Sequence, residues 1–272
     1  MILFRTIRSG SSGNCLLLER RRRGRTSRLL IDCGFSSQRA SLAALEGEIG
    51  LDPPPAAVLV SHAHSDHINY AALRVLARLG IAAHVHRQAR REIAMRHLRP
   101  ERLPASVDAD GFLLATFDEQ PFELAGFEVT PIRVPHAPRV TTHGFLLRDG
   151  ETKLLIASDL HDPEAVVPHI YDCDLIYLES NYDPELLRRY YNPASLFHLA
   201  NPAAGLLLDH ALRTSRRPPR AIMLGHLSAD RNRPELALQT VGDVLAQGGS
   251  GASVPLSAAP RHRASETVVV RE

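Results

Sequence analysis

The stretch VLVSHAHSDHI, Val58 to Ile68, sets three histidines and an aspartate within six residues, directly after an apolar run. Histidines so crowded pack poorly in a core. Neutral imidazoles and carboxylates are, however, the usual ligands of zinc and other borderline divalent ions. His62 and His64, two apart at a strand end, can point to the same side and hold one ion. Asp66 and His67 are then expected on the first turn of the following helix, displaced enough to serve a second ion. Four ligands in one loop cannot close two coordination shells, so further His or Asp residues are required at later strand ends. The chain supplies them: His136 ends TPIRVPH, Asp159 ends KLLIASD, and His226 follows RAIMLG.

The surrounding sequence reads as strands early and as alternating strands and helices later. ILFRTIRSG, CLLLE and RLLIDCG are short strands, the last two joined by RRRRGRTS. GFLLRDG-ETKLLIASD is a hairpin with a DG turn, DCDLIYLES a buried strand, and ETVVV a last edge strand. Helical spacing covers Ile68–Leu79, Arg87–His97, Pro202–Arg213 and Pro234–Ala246, and residues 247–254 (QGGSGASV) read as a flexible loop. No composition shift marks an internal boundary, so residues 1–272 read as one domain. A hydrophobic fraction of 44% and a charged fraction of 23% fit a folded, soluble chain. The net charge of +2 does not by itself demand a nucleic-acid partner. Three cysteines without CxxC spacing suit buried thiols in a reducing cytoplasm, and no leader peptide or membrane-length apolar run is visible. If CLLLE and RLLIDCG pair, the turn Arg20–Arg23 falls at the end away from DCG. A solvated turn is then expected there, with a remote contact to nucleic-acid backbone as the alternative.

HxHxDH followed by strand-end His, Asp and His resembles the metallo-β-lactamase fold superfamily. That resemblance implies an α+β fold, a four-layer αββα sandwich with a dinuclear site along one edge. Carried over, His62, His64 and His136 bind one metal, Asp66, His67 and His226 the other, and Asp159 bridges both. GSSGNC (Gly10–Cys15), DCG (Asp32–Gly34), ESNYD (Glu179–Asp183), FHLANPAAGLLL (Phe197–Leu208) and GHLSADRNRPELA (Gly225–Ala237) together resemble the YycJ/WalJ family. This second resemblance implies a 5′-to-3′ exonuclease acting on double-stranded DNA with two divalent ions, Zn²⁺ or Mn²⁺. Tyr182 stands where the family commonly has the His of SNHD. Phe197 and Ala200 replace the Gly and Ser of GHLSN. These departures spare the metal residues and bear on substrate binding.

The chemistry supports a hydrolase on its own terms. Paired ions lower the pKa of a bridging water and neutralise an attacked phosphate, and Asp66 can hold an ion while orienting the hydroxide. His198 is the candidate for protonating the leaving oxygen or touching phosphate; a histidine near a helix start is the plain alternative. Asn14 and Asn201 can donate to phosphate oxygens or serve as turn and cap residues. His84 and His86 are expected on one solvated strand face. His143 and His161 are candidates for orienting ligand imidazoles, with local hydrogen bonding the simpler role, and Cys33 is expected to be buried. A small-molecule hydrolase on the same metal site, such as a thioesterase, lactonase or cyclic-nucleotide phosphodiesterase, is the competing enzyme class. A non-catalytic binding module conflicts with the intact ligand set.

Overall fold

In the computed structural model, residues 1–98, 112–250 and 254–272 are described. They form two seven-stranded sheets. The first comprises β1 (Ile2–Arg8), β2 (Cys15–Arg22), β3 (Arg25–Ile31), β4 (Ala57–Leu59), β5 (Ala82–His86) and β6 (Leu114–Phe117) in order, with β14 (Val268–Arg271) outside β1. The second runs β13 (Leu256–Ala258), β12 (Ala221–Gly225), β11 (Leu175–Glu179), β10 (Thr152–Ala157), β9 (His143–Asp149), β8 (Phe127–Arg133) and β7 (Phe122–Leu124). The helices are α1 (Gln38–Ala43), α2 (Tyr70–Arg78), α3 (Arg87–Ile93), α4 (Pro184–Arg189), α5 (Asn201–Thr214) and α6 (Pro234–Gln247).

Strand alternation explains the layering. In β2, Leu16 and Leu18 enter the core between the sheets, whereas Leu17 faces the core under α1 and α2. In β11, Leu175 and Tyr177 enter the same middle core, whereas Ile176 and Leu178 meet α5 and α6. Both faces of each sheet are therefore covered, which is why runs such as LLL and KLLIA carry no polar alternation. Each fully buried aliphatic side chain contributes about 2 kcal/mol. The result is an α+β sandwich of four layers, helix–sheet–sheet–helix.

The two sheets share one edge where chain direction matters. β3–β4–β5–β6 run parallel, as do β10–β11–β12–β13. Open sheets present their functional loops beyond the carboxyl ends of parallel strands. The loops after β3, β4, β10, β11 and β12 all leave there.

Several expectations change. α2 begins at Tyr70, not Ile68, because the Asn69 side chain accepts from the Ala72 amide and caps the helix there. Ile68 instead forms a bridge with Cys33, so Asp66 and His67 sit in the tight turn before the helix. His86 is not solvated: it is 1% exposed, because β5 is an interior strand and its His face looks toward the second sheet. Gln88 N–H donates to His86 Nδ1, which leaves Nε2 as the protonated atom facing Glu119 at 3.1 Å. His84 on the same face is half-buried. α6 extends through Gln247, the first residue of the expected loop, and residues 251–253 of that loop lie outside the described residues. The arginine turn lies at the far end of β2 and β3, where Arg20 pairs with Asp149 at 2.7 Å and Arg21 with Glu19 at 2.6 Å. Among the described residues no helix is long and apolar enough to cross a membrane.

Candidate metal centre

Three of the side chains that shape the site leave their strands through left-handed backbone. Asp32 follows β3 with φ 62°, Asp159 follows β10 with φ 54°, and His226 follows β12 with φ 50°. Non-glycine residues pay about 1 kcal/mol or more for that conformation, and such strain gathers at functional sites. Here it coincides with a sharp change of chain direction, after which each side chain lies at the shared edge.

The seven candidate ligands come together there in two overlapping sets. His62 Nε2 lies 2.9 Å from His64 Nδ1, and His136 Nε2 lies 3.4 Å from the same atom. Asp66 Oδ2 lies 3.6 Å from His67 Nε2 and 3.5 Å from His226 Nε2. Asp159 Oδ2 stands 2.8 Å from His67 Nε2, and its carboxylate also groups with His62. Asp159 therefore lies where the two sets meet.

The outer atoms of the rings fix which nitrogens remain free. His67 Nδ1 donates to Asp32 Oδ2 at 2.7 Å, and Asp32 is held by the Ser61 amide and hydroxyl. His136 Nδ1 donates to the Phe197 carbonyl at 2.8 Å, and His226 Nδ1 to Glu179 Oε1 at 2.8 Å. His62 Nδ1 faces Ser61 Oγ at 3.0 Å. Each of these four rings thereby turns Nε2 inward, where it offers a lone pair whenever the ring is neutral. Asp159 Oδ2 and His226 Nε2 are buried with no hydrogen-bond partner among the described residues. Asp159 Oδ2 and His67 Nε2 approach closely without the alignment of a hydrogen bond. Buried polar atoms are nearly always satisfied, so two unpartnered ones within a ring of converging imidazoles and carboxylates are what a cation would complete. The donors present fit divalent metal.

Charge divides the two sets. Burial pushes His62, His64 and His136 down, His64 to about 4, so these rings are neutral and ready to ligate. Burial also works to lower His226, but Asp159, Asp66 and Glu179 outweigh it and raise the ring to about 10. Burial opposes ionisation of Asp159, yet His226 and His67 hold its carboxyl well below the usual range. Without a cation, a proton on His226 balances the acids, and a metal must displace it. Asp159 and Asp32 likewise outweigh burial and raise His67, so loading of the Asp66–His67–His226 set is expected to release protons and to weaken as pH falls. The His62–His64–His136 set is expected to keep its affinity further into acid. Calorimetric titrations in two buffers of different ionisation enthalpy, repeated across pH, measure both.

His198 Nδ1 donates to Glu179 Oε1 at 2.7 Å, with its ring 4.8 Å from His136 and 5.2 Å from His226. Burial would lower its pKa, but the Glu179 carboxylate more than compensates and raises it. Asn14 and Asn201 are placed differently from a phosphate contact. Asn14 Oδ1 accepts from Gly10 N–H, and its Nδ2 reaches Gly10 O, Asp66 O and His67 Nε2 at 3.0–3.2 Å. Asn201 is fully buried and shares its amide with Ser180 and Asn232. Both are committed inside the protein, as braces for the ligand-bearing loops.

Asp32 and Glu179 are the residues whose roles the motif reading missed, although DCG and ESNYD contain them. The available signal was an acid ending an apolar strand, since a buried carboxylate needs partners. Glu179 accepts from His198, His226 and the Leu160 and Leu199 amides, the two amides each at 3.0 Å. His143 and His161 do not orient ligand rings: His143 packs on His86 with centroids 4.4 Å apart, and His161 lies beside Phe197. Cys33 is buried, which together with Asp32 pushes its thiol to about 12 and makes it unreactive.

Comparison with known proteins bears on the family and the fold. The chain matches the beta-lactamase superfamily domain over residues 27–226, a span that ends on His226. It is 26% identical over 262 residues to exodeoxyribonuclease WalJ of Streptococcus pneumoniae, covering 90% of this chain and 89% of that protein. It is 28% identical over 259 residues to exodeoxyribonuclease YycJ of Bacillus anthracis, covering 91% and 90%. The crystal structure of the metallo-beta-lactamase fold protein YhfI from Bacillus subtilis superposes with a TM-score of 0.68 at 19% identity, over 97% of this chain and 99% of that one. With that span matched and the fold shared, the chain belongs to the beta-lactamase superfamily, as one of its metal-dependent hydrolases.

Proposed function

We propose that the chain is a phosphodiesterase working with two divalent ions, Zn²⁺ or Mn²⁺, and that it degrades double-stranded DNA from 5′ to 3′. The observation that carries this is the pair of inward-facing donor sets meeting at Asp159. Likeness to two exodeoxyribonucleases over about 90% of the chain supports DNA as the substrate. Ions held there would supply a water that ionises near neutral pH and would neutralise charge on the attacked phosphate.

The protein's own groups do the rest. Asp66 turns Oδ2 toward His67 and His226 and keeps its other oxygen to accept a hydrogen bond from the attacking water. His198 is tethered by Glu179 through Nδ1, which presents an Nε2 proton to the leaving oxygen. Asn14 ties the Gly10–Gly13 turn to the Asp66–His67 turn, while Ser11 and Ser12 stand exposed at its tip, where they would meet phosphate.

His198→Ala is expected to lower turnover on DNA about 100-fold while metal occupancy stays near the wild-type level. The logarithm of DNA affinity should fall linearly with the logarithm of salt concentration as counterions are released. The direct test gives end-labelled duplex and single-stranded DNA and RNA to metal-depleted protein plus each ion. Shortening of duplex DNA from its 5′ end supports the proposal. Efficient hydrolysis of thioesters or lactones, with every nucleic acid left intact, contradicts it.

A further inference from the structure

An exonuclease must distinguish a chain end from the body of a duplex. Only an end offers the flat face of a base pair; elsewhere the duplex shows base edges and phosphates. A residue that reads ends therefore presents an aromatic face to solvent, close to the site and near positive charge. Such residues are rare here: the chain has 6 tyrosines and no tryptophan. Two of the tyrosines, Tyr190 and Tyr191, are adjacent and exposed at 48% and 67%, with Leu196 at 51% beside them in sequence. They lie on the segment between α4 and the short 3₁₀ turn Pro193–Phe197, immediately before His198.

This segment is fastened to the site from both sides. Phe197 gives its carbonyl to His136 Nδ1 at 2.8 Å. Arg231, on the loop that follows His226, donates from Nε to the Tyr190 carbonyl at 2.7 Å. The segment that carries the two exposed tyrosines is thus tied by its backbone to His136 on one side and to the loop after His226 on the other. The Arg189 guanidinium sits over the Tyr190 ring, 5.4 Å from its centroid, and no carboxylate pairs with it among the described residues. Aromatic faces with an unspent cation match the base and phosphate of one terminal nucleotide, and the apolar exposure needs no protein partner to explain it.

We infer that Tyr190 and Tyr191, with Arg189, form a stacking platform for the terminal base pair of duplex DNA; this rests on the nuclease proposal above. The test uses the full chain loaded with Mn²⁺ and compares Tyr190→Ala/Tyr191→Ala with Tyr190→Phe/Tyr191→Phe. The alanine pair should raise KM for a blunt-ended duplex about tenfold, the range of a lost stacked base. It should also abolish the fluorescence change of a terminal 2-aminopurine on binding. Hydrolysis of bis(p-nitrophenyl) phosphate, which has no base to stack, should be unchanged, and the phenylalanine pair should behave as wild type. An alanine pair with wild-type KM and a wild-type 2-aminopurine signal overturns the platform and leaves the nuclease proposal standing. A wild type that hydrolyses the small diester but neither binds nor cuts DNA overturns both.

Discussion

Asp66→Ala is expected to abolish hydrolysis while leaving the sandwich folded. The carboxylate lies within 3.6 Å of both imidazole nitrogens of the proposed second set, so its loss removes the proposed ligand and the proposed acceptor for the attacking water. Residues one step removed from a metal already cost about 10–100-fold when lost, and a direct ligand costs more. The fold does not depend on it. Asp66 has a side chain 20% exposed and belongs to none of the three apolar clusters. Its loss frees charge on His226 in the metal-free protein, a penalty of about 1–2 kcal/mol that shifts melting by a few degrees. Steady-state rates beside a thermal melt measure the two effects separately. Full turnover by this variant would show that the nucleophile is prepared elsewhere.

Gly34→Ala is expected to be as damaging to activity, by a purely steric route. A Cβ on Gly34 would collide with the Asp66 carbonyl and the His67 amide, all backbone atoms that no rotamer change can move aside. The contact is close because three segments are laced together there. Asn14 N–H donates to Asp66 O, Cys33 N–H to His67 O, and Gly34 N–H to Asn14 O, at 2.7, 2.7 and 2.9 Å. Overpacking of this kind costs about 3 kcal/mol, and a ligand displaced by about 1 Å costs about 100-fold in rate. The expected result is a protein that melts lower, retains less metal and turns over at least about 100-fold more slowly. Gly47→Ala is the control, because a Cβ there meets nothing within 4 Å. Wild-type metal content and rate in Gly34→Ala would mean that the Asp66–His67 turn is free to shift.

How much was legible in the sequence follows from where each signal lies. Five of the seven candidate ligands could be picked out because they follow apolar strands, whose buried runs are visible, and Asp66 and His67 because they crowd the same loop as His62 and His64. The doubly covered sheets were legible for the same reason. The short strands β6 (Leu114–Phe117), β7 (Phe122–Leu124) and β13 (Leu256–Ala258) were not, since three or four residues carry no usable period. The helical spacing from Ile68 obscured the cap at Asn69, so Asp66 and His67 were placed on a helix instead of a turn. His86 read as solvated because alternation gives a shared face but not what covers it; the second sheet does. The commitments of Asn14 and Asn201 depend on partners as distant in sequence as Asp66 and Asn232, which no local pattern reveals. Asp32 and Glu179 sat in view, and their burial was the missing fact.

The two donor sets are proposed to hold two ions and to share Asp159. The most direct test is the metal content of the folded chain by mass spectrometry, after equilibration with excess Zn²⁺ or Mn²⁺ and removal of free ion. Two ions per chain are expected in the wild type, and one in His226→Ala, which loses only the Asp66–His67–His226 set. A wild type that never exceeds one ion per chain, or a His226→Ala variant that still carries two, would contradict it.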